Sequence, residues 1–287
     1  MKSVVIYYFS GTGNTEIVAN MIKEGFFNYQ YNVTVIRIED VLKNNLKIDL
    51  EKYDLVGIGC QVIGFGTPNI VRHFIKLLPK QKYKKTFIFR TAGGVTPINY
   101  NASKPIIRKL SRKGYKVFYE RLFSIGSNWM NKFDDEIIKQ LYAATAKKAD
   151  IMCQEVIHGK KRTLKTGIGL KVLMEGMMFI ISRIIFLLGK DLKVNENCSH
   201  CGLCIKNCPA ENIYEKNEKI NFRLSCNGCM RCVYSCPKSA INFKSLTSFP
   251  IPGGYNIKEI LKQPSGDGKI KNKVPPFFDS YIKDDTL

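Results

Sequence analysis

Acidic residues are the scarce class in this chain of 287 residues: 24 Asp and Glu stand against 45 Lys and Arg, a formal charge of +21. The deficit is distributed, with an excess of +12 in residues 1–150, +4 in 151–196, +4 in 197–246 and +1 in 247–287. A spread basic excess favours anionic partners as a class, an acidic redox protein or an anionic surface. Nucleic acid is excluded as an expected partner, because no basic stripe interleaved with aromatics and no helix-turn-helix pattern is present. Also missing is a long apolar run free of charge. Residues 168–188 are mostly apolar, but Lys171, Glu175 and Arg183 interrupt them, so no transmembrane span is expected. No cleavage-site pattern follows the first residues, which lead from Met1-Lys2-Ser3 directly into Val4-Val5-Ile6-Tyr7-Tyr8-Phe9, and a cytoplasmic location is the expectation. A hydrophobic fraction of 45% with 24% charged residues excludes disordered and collagen-like chains.

What is present alternates. Residues 4–9, 33–38, 55–59, 87–89 and 117–123 are short runs rich in Val, Ile, Phe and Tyr, the composition of buried strands. Helical patterns over 15–27, 69–78, 104–113 and 134–157 lie between or after them. Alternation of this kind predicts an α/β fold, a doubly wound five-stranded parallel sheet covered on both faces.

Residues 161–196 break the pattern. The basic cluster Lys160-Lys161-Arg162 opens a segment whose apolar stretch reads as a helix buried between two domains. The sharper alternative is an interfacial helix making peripheral membrane contact through 165–190, since Met/Phe/Ile-rich faces with basic flanks suit anionic membranes. Residues 247–287, with Pro250, Pro252, Gly253, Gly254 and Pro275-Pro276, read as a loop-rich tail holding one short helix near 257–261.

Cysteine is nearly absent outside one stretch. Eight of the ten lie between Cys198 and Cys236, leaving Cys60 and Cys153 elsewhere. Cys198, Cys201, Cys204 and Cys208 recur 28 residues later as Cys226, Cys229, Cys232 and Cys236, and Pro209 and Ile213 recur as Pro237 and Ile241. This is an internal duplication. Each half reads C-x2-C-x2-C-x3-C-P, the spacing of bacterial two-cluster ferredoxins, rather than the paired C-x2-C knuckles of zinc sites. In that pattern the fourth cysteine of each run serves the other cluster. The ligand sets implied are Cys198, Cys201, Cys204 and Cys236 for one [4Fe–4S] cluster, and Cys226, Cys229, Cys232 and Cys208 for the second, in a small α+β domain over 197–246.

Directly after the first strand stands Ser10-Gly11-Thr12-Gly13-Asn14-Thr15, opening the first helix. It lacks both the G-x-x-x-x-G-K-[ST] of a triphosphate loop and the third glycine of a dinucleotide loop. A hydroxyl-rich glycine turn at a helix N-terminus instead suits a single phosphate monoester, held by backbone N–H groups and the hydroxyls of Ser10, Thr12 and Thr15. With the preceding Tyr8-Phe9, this loop resembles the flavin mononucleotide (FMN) phosphate loop of flavodoxins. Joined to the cysteine repeat, the chain resembles the flavodoxin–ferredoxin fusion proteins of anaerobic bacteria. The resemblance implies a flavodoxin-like domain over 1–160 with strand order 2-1-3-4-5 and FMN at the switch point. It further implies ring contacts from Phe65 and Gly66 in the loop after the third strand, and from Thr91, Ala92, Gly93 and Gly94 after the fourth, with Ser127-Asn128-Trp129 closing the pocket. Cys60 would sit near the ring as a small buried residue. The basic excess of residues 1–150 departs from the generally acidic flavodoxins.

Two functions follow from these cofactors. An electron-transfer iron–sulfur flavoprotein would relay electrons between FMN, two [4Fe–4S] clusters and an external redox partner, with no catalytic side chain required. The alternative is an FMN-dependent oxidoreductase acting on a small anionic substrate, for which Arg90, His73 and Cys60 are the acid–base candidates.

Overall fold

The computed structural model describes residues 1–264 and 274–285. The part of the expected C-terminal tail at 265–273 and 286–287 lies outside the described residues. Five strands, β1 (Ser3–Phe9), β2 (Asn32–Arg37), β3 (Leu55–Gln61), β4 (Lys84–Thr91) and β5 (Tyr115–Phe123), form one parallel sheet in the order β2-β1-β3-β4-β5. Apart from their end residues (Ser3, Gln61, Lys84 and Lys85) the central strands β1, β3 and β4 are buried, which is why they read as apolar runs without a polar alternation. Helices α1 (Asn14–Asn28), α2 (Ile38–Lys43), α3 (Asn69–Leu77), α4 (Lys104–Arg112) and α5 (Asp135–Ile157) cross between or follow the strands. One core lies under α1 and α5, with Ile6, Val18, Phe26, Phe87, Phe89 and Met152. The other lies under α3 and α4, with Val5, Ile58, Phe74, Ile88 and Leu110. Among the described residues Arg90, Glu120 and Arg121 are charged side chains buried at the sheet; Arg90 approaches Glu120 to 3.9 Å and donates to the carbonyls of Asn99 and Tyr100.

α6 (Ile168–Ile184) corrects the expectation of a buried inter-domain helix. Its outward side exposes Ile168 at 82%, Val172 at 66% and Ile180 at 60%, while Met174 and Met178 alone are buried. With the short turns that follow, the stretch Ile168–Asp191 is long and apolar enough by length and composition to cross a membrane. The physical reason lies in the helical period. Lys171 and Glu175, four residues apart, share one flank, so the outward arc keeps a single charge, Arg183, which lies over the Phe179 ring.

After α7 (Leu188–Asp191), β6 (Leu192–Val194) pairs antiparallel with a later strand, and the cysteine repeat follows: α8 (Leu203–Asn207), the hairpin β7 (Ile213–Lys216) and β8 (Lys219–Phe222), α9 (Arg231–Tyr234) and β9 (Ile241–Phe243). The duplication extends to the backbone. Left-handed φ values recur 28 residues apart at His200 and Gly228, at Gly202 and Met230, and at Glu211 and Ser239. The described parts of the segment beyond, with α10 (Ile257–Lys262) and α11 (Phe278–Lys283), form a strap anchored by buried side chains. Ile251, Tyr255, Ile257, Phe277, Phe278 and Tyr281 join the core beneath α5.

Candidate flavin and cluster sites

The turn from β1 to α1 begins the site. Gly13 takes φ +102°, a conformation that favours glycine, and its carbonyl accepts the Ile17 N–H as the first helical bond. The N–H groups of the first turn of α1 have no partner within the helix, leaving them for an anion at the positive end of the helix dipole. The Ser10 hydroxyl accepts the Gly13 N–H at 3.1 Å and so fixes the turn from inside. The Thr15 and Thr91 hydroxyls meet at 2.7 Å, tying the loop to the end of β4. Thr12 accepts from the Asn128 amide at 2.8 Å, tying it to the loop after β5.

These loops surround a cavity of about 310 Å³ at the carboxyl ends of the strands. Of the residues expected at the phosphate, Ser10, Gly11, Thr12, Asn14 and Thr15 line it. Gly13 stands behind them, with Ile257 across from it. Of those expected at the ring, Phe65, Thr91, Ala92 and Gly93 line the cavity, as do Ser127, Asn128 and Trp129. Gly66 and Gly94 do not; they lie against Met178 and Phe277 respectively. Phe65 reaches the wall through a tight reversal. Gly64 and Phe65 are both left-handed, at φ 54° and 59°, and Ile63 and Gly66 exchange backbone hydrogen bonds across them. That is the geometry of a two-residue primed turn, held here with a bulky aromatic in a costly conformation.

Further wall comes from residues the sequence did not single out for the flavin: Asn99, Gly126, Met130, Gly228, Cys229 and Phe249. Phe249 packs against Trp129 with the rings tilted by 44° at a centroid separation of 5.0 Å. Nothing in local sequence pattern joins a residue near 249 to a loop near 129. Gly228 and Cys229 belong to the second cysteine run, so this run is itself a wall of the cavity. A Cβ on Gly11 would run into the Cys229 carbonyl oxygen, which makes glycine a requirement of the close approach. Arg231 closes the contact. Its guanidinium donates to the carbonyls of Ser10 at 2.5 Å, Gly11 at 3.2 Å and Asn207 at 3.0 Å, and pairs with Glu39 at 2.6 Å. Asn227 accepts the Ile70 N–H at 3.0 Å and so serves α3 as a cap supplied from 157 residues away. Tyr234 donates to the Asn128 carbonyl and accepts from the Ile251 N–H, each at 2.8 Å.

The cysteines gather as crossed sets. Cys198, Cys201, Cys204 and Cys236 line one small enclosed space with Val194, Ile220 and Ile241. Burial pushes the Cys226 thiol up, and its neighbours Cys229 and Cys208 add to the shift. Backbone N–H groups of Asn212, Gly228 and Ala240 point at the sulfurs of Cys208, Cys226 and Cys236 at 3.2 to 3.3 Å. Such N–H···S bonds suit thiolates bound to a cluster. Among the described residues no three His, Cys, Asp or Glu side chains converge as on a single metal ion, whereas a cubane spreads its thiolates over four irons. The donor set therefore fits four-iron clusters, and the open N-terminal turn of α1 fits a flavin phosphate.

The acid–base candidates lie elsewhere. Arg90 is buried and engaged, and His73 is exposed on α3. Cys60 is fully buried, and burial pushes its thiol up to about 12. None of the three lines the cavity, whose walls among the described residues include no Asp, Glu, His, Lys or Arg.

Comparison with known proteins agrees with this division. Residues 6–122 match the family model described as flavodoxin, and residues 190–245 match the 4Fe-4S dicluster domain. A flavodoxin of Megasphaera elsdenii is 33% identical over 93 residues, 31% of this chain, and the match spans 65% of that protein's length. Similar solved structures include oxidised flavodoxin 1 of Bacillus cereus, with 21% identity over 50% of this chain and 95% of that one and a TM-score of 0.37. An azoreductase of Bacillus anthracis is 14% identical over 54% of this chain and 100% of that one, with a TM-score of 0.36. A flavodoxin domain implies FMN and a dicluster domain implies 4Fe-4S clusters. The chain thus joins an N-terminal flavodoxin domain to a C-terminal 4Fe-4S dicluster domain, the order of a flavodoxin–ferredoxin fusion.

Proposed function

We propose that the chain relays electrons between FMN, two [4Fe–4S] clusters and an external redox partner. The observation that carries this reading is the position of Cys229, a member of the second cysteine run that also forms a wall of the flavin cavity. Bound flavin accepts one or two electrons and clusters carry one, so their combination matches one-electron to two-electron partners. The chain's own part is placement. Arg231 clamps the second run to the phosphate loop, and Gly11 lets the two backbones touch. Cys226, Cys229, Cys232 and Cys208 would hold the cluster at the cavity. Cys198, Cys201, Cys204 and Cys236 would hold the outer one, where Cys201 is exposed. Ser10, Gly11, Thr12, Gly13, Asn14 and Thr15 would hold the phosphate, and Phe65, Thr91, Ala92 and Gly93 would border the ring.

A carrier needs no acid–base side chain at the flavin, and among the described residues the cavity wall holds no Asp, Glu, His, Lys or Arg. This favours the relay over an oxidoreductase acting on a small anionic substrate. The basic surface suits an acidic redox protein as the soluble partner.

Anaerobic reconstitution, followed by assays of iron, acid-labile sulfide and FMN, tests the reading. About eight irons per chain are expected from two cubanes, with one flavin. Cys208→Ser and Cys236→Ser should each lower the iron of one cluster while leaving flavin bound. Four irons or fewer in the reconstituted wild-type chain, or no flavin, overturns the corresponding half. Saturable turnover of a soluble metabolite without a protein partner overturns the carrier assignment.

A further inference from the structure

We infer that α6 is a docking face for an anionic phospholipid surface, holding the protein parallel to the membrane beside the mouth of the flavin cavity. The inner side of the helix is already partnered: Met178 packs on Gly66 and Ile181 on Gly64, in the loop that presents Phe65. The opposite arc carries Ile168, Val172, Leu173, Ile180, Ile184 and Leu187, all exposed and recurring at helical spacing. An apolar face of this extent in water marks an interaction site.

Charge selects the occupant. Lys161, Lys165, Lys171, Arg183 and Lys190 are exposed along the same stretch. Its two acidic residues are engaged: Glu175 lies 3.6 Å from Arg108, and Asp191 accepts the N–H groups of Ser245 and Leu246. A largely apolar face, with lysines before and after it and the Arg183 guanidinium over the Phe179 ring within it, matches acyl chains beneath anionic headgroups. A second copy would bring the same cations together, and like charges oppose that pairing.

Both ends of the helix are tied to one body, which argues for lying on the membrane rather than crossing it. Before α6, the Arg162 N–H donates to Phe118 and its carbonyl accepts from Glu120, at the edge of β5. After it, Leu192 is buried with Ile241 and Phe243. The cysteine run beyond α6 then returns to the phosphate loop through Arg231. A span would have to break these ties.

The inference is independent of redox activity, and its test reads binding alone. The full chain, loaded with flavin and clusters, is sedimented with neutral phosphatidylcholine vesicles and with vesicles containing about one third phosphatidylglycerol. Binding to the anionic vesicles is expected, together with release as salt rises from about 0.1 to about 0.5 M. The pair Ile180→Ser/Ile184→Ser and the pair Lys165→Glu/Lys171→Glu should each weaken binding by about tenfold or more, with the visible absorption and circular dichroism unchanged. These side chains are exposed, so folding is expected to survive both changes. Equal binding to both vesicle types, or none to the anionic ones, overturns the inference. So does a dimer in the absence of lipid that Ile180→Ser/Ile184→Ser dissociates, which would assign the face to a second copy. Retention of the chain in native membranes after a high-salt and alkaline carbonate wash would assign a span and overturn it equally.

Discussion

Arg231 satisfies three carbonyls and one carboxylate with a single guanidinium, and three of those four acceptors lie in the flavodoxin segment. Glu39 is nearly fully buried, so removing its partner strands a charge in low dielectric. Arg231→Met should destabilise the protein by about 3 kcal/mol, and adding Glu39→Gln should recover part of the loss. Chemical denaturation of the four proteins of this cycle measures both. Lys148 makes a second residue-scale case. Its side chain is inaccessible to solvent, it donates to the Asp284 carbonyl and its ammonium lies over the Tyr281 ring. Burial, then the nearby Arg121, pulls it down to about 8 against the opposing pull of Asp285 and Asp284. The unfolded chain therefore binds more protons between about pH 8 and about pH 10.5, and stability rises across that window as the buried charge is neutralised. Lys148→Met should flatten this rise, on the order of 2 kcal/mol, in melting curves taken at steps across the window.

At the scale of elements, the duplication invites a comparison of equivalent turns. His200 holds φ 52° where its counterpart Gly228 holds 65°. Among the described residues its one ionic neighbour is an exposed Glu215 at 3.5 Å, worth little in solvent. His200→Gly should thus raise stability by about 0.5–1 kcal/mol by relieving a left-handed side chain, read as a higher Tm of the cluster-loaded protein. The equivalent change at Met230 should not help, because that side chain is buried in the small core around β6 and β9. The sheet was legible for a simple reason: buried parallel strands are apolar runs, and the expected runs fall within β1 to β5 or within one residue of them. The cysteine spacing was equally explicit, since ligand geometry is written into short local intervals. α2 escaped notice because six residues carry too little periodicity. α6 was read as buried because a linear count of charges hides which flank they occupy. The walls supplied by Phe249, Met130 and Cys229 were illegible in principle, since they depend on how two segments dock rather than on any local pattern.

At the scale of the molecule, the flavin cavity has walls from β1, β3, β4 and β5 loops and from the cysteine repeat together. A ligand bound only when both are in place stabilises both. FMN at about one hundred times its Kd should add about 2.7 kcal/mol to a single cooperative transition. Calorimetry of the flavin-free and flavin-loaded protein should show one peak moving as a unit. Two peaks, of which only one moves, would show that the segments unfold independently.

The strap formed by residues 251–257 and 277–281 gives the molecule a further property. Tyr281 bonds to Ser124 and Thr145, and Phe277 and Phe278 fill the core under α5. The cysteine repeat is thus fastened to the sheet on both its entering and its leaving side, like a page bound along two edges. It has no free tether on which to swing out and carry charge to a distant acceptor. A partner must come to the protein, and during synthesis the sheet's core waits for chain that emerges only after the last cluster cysteine.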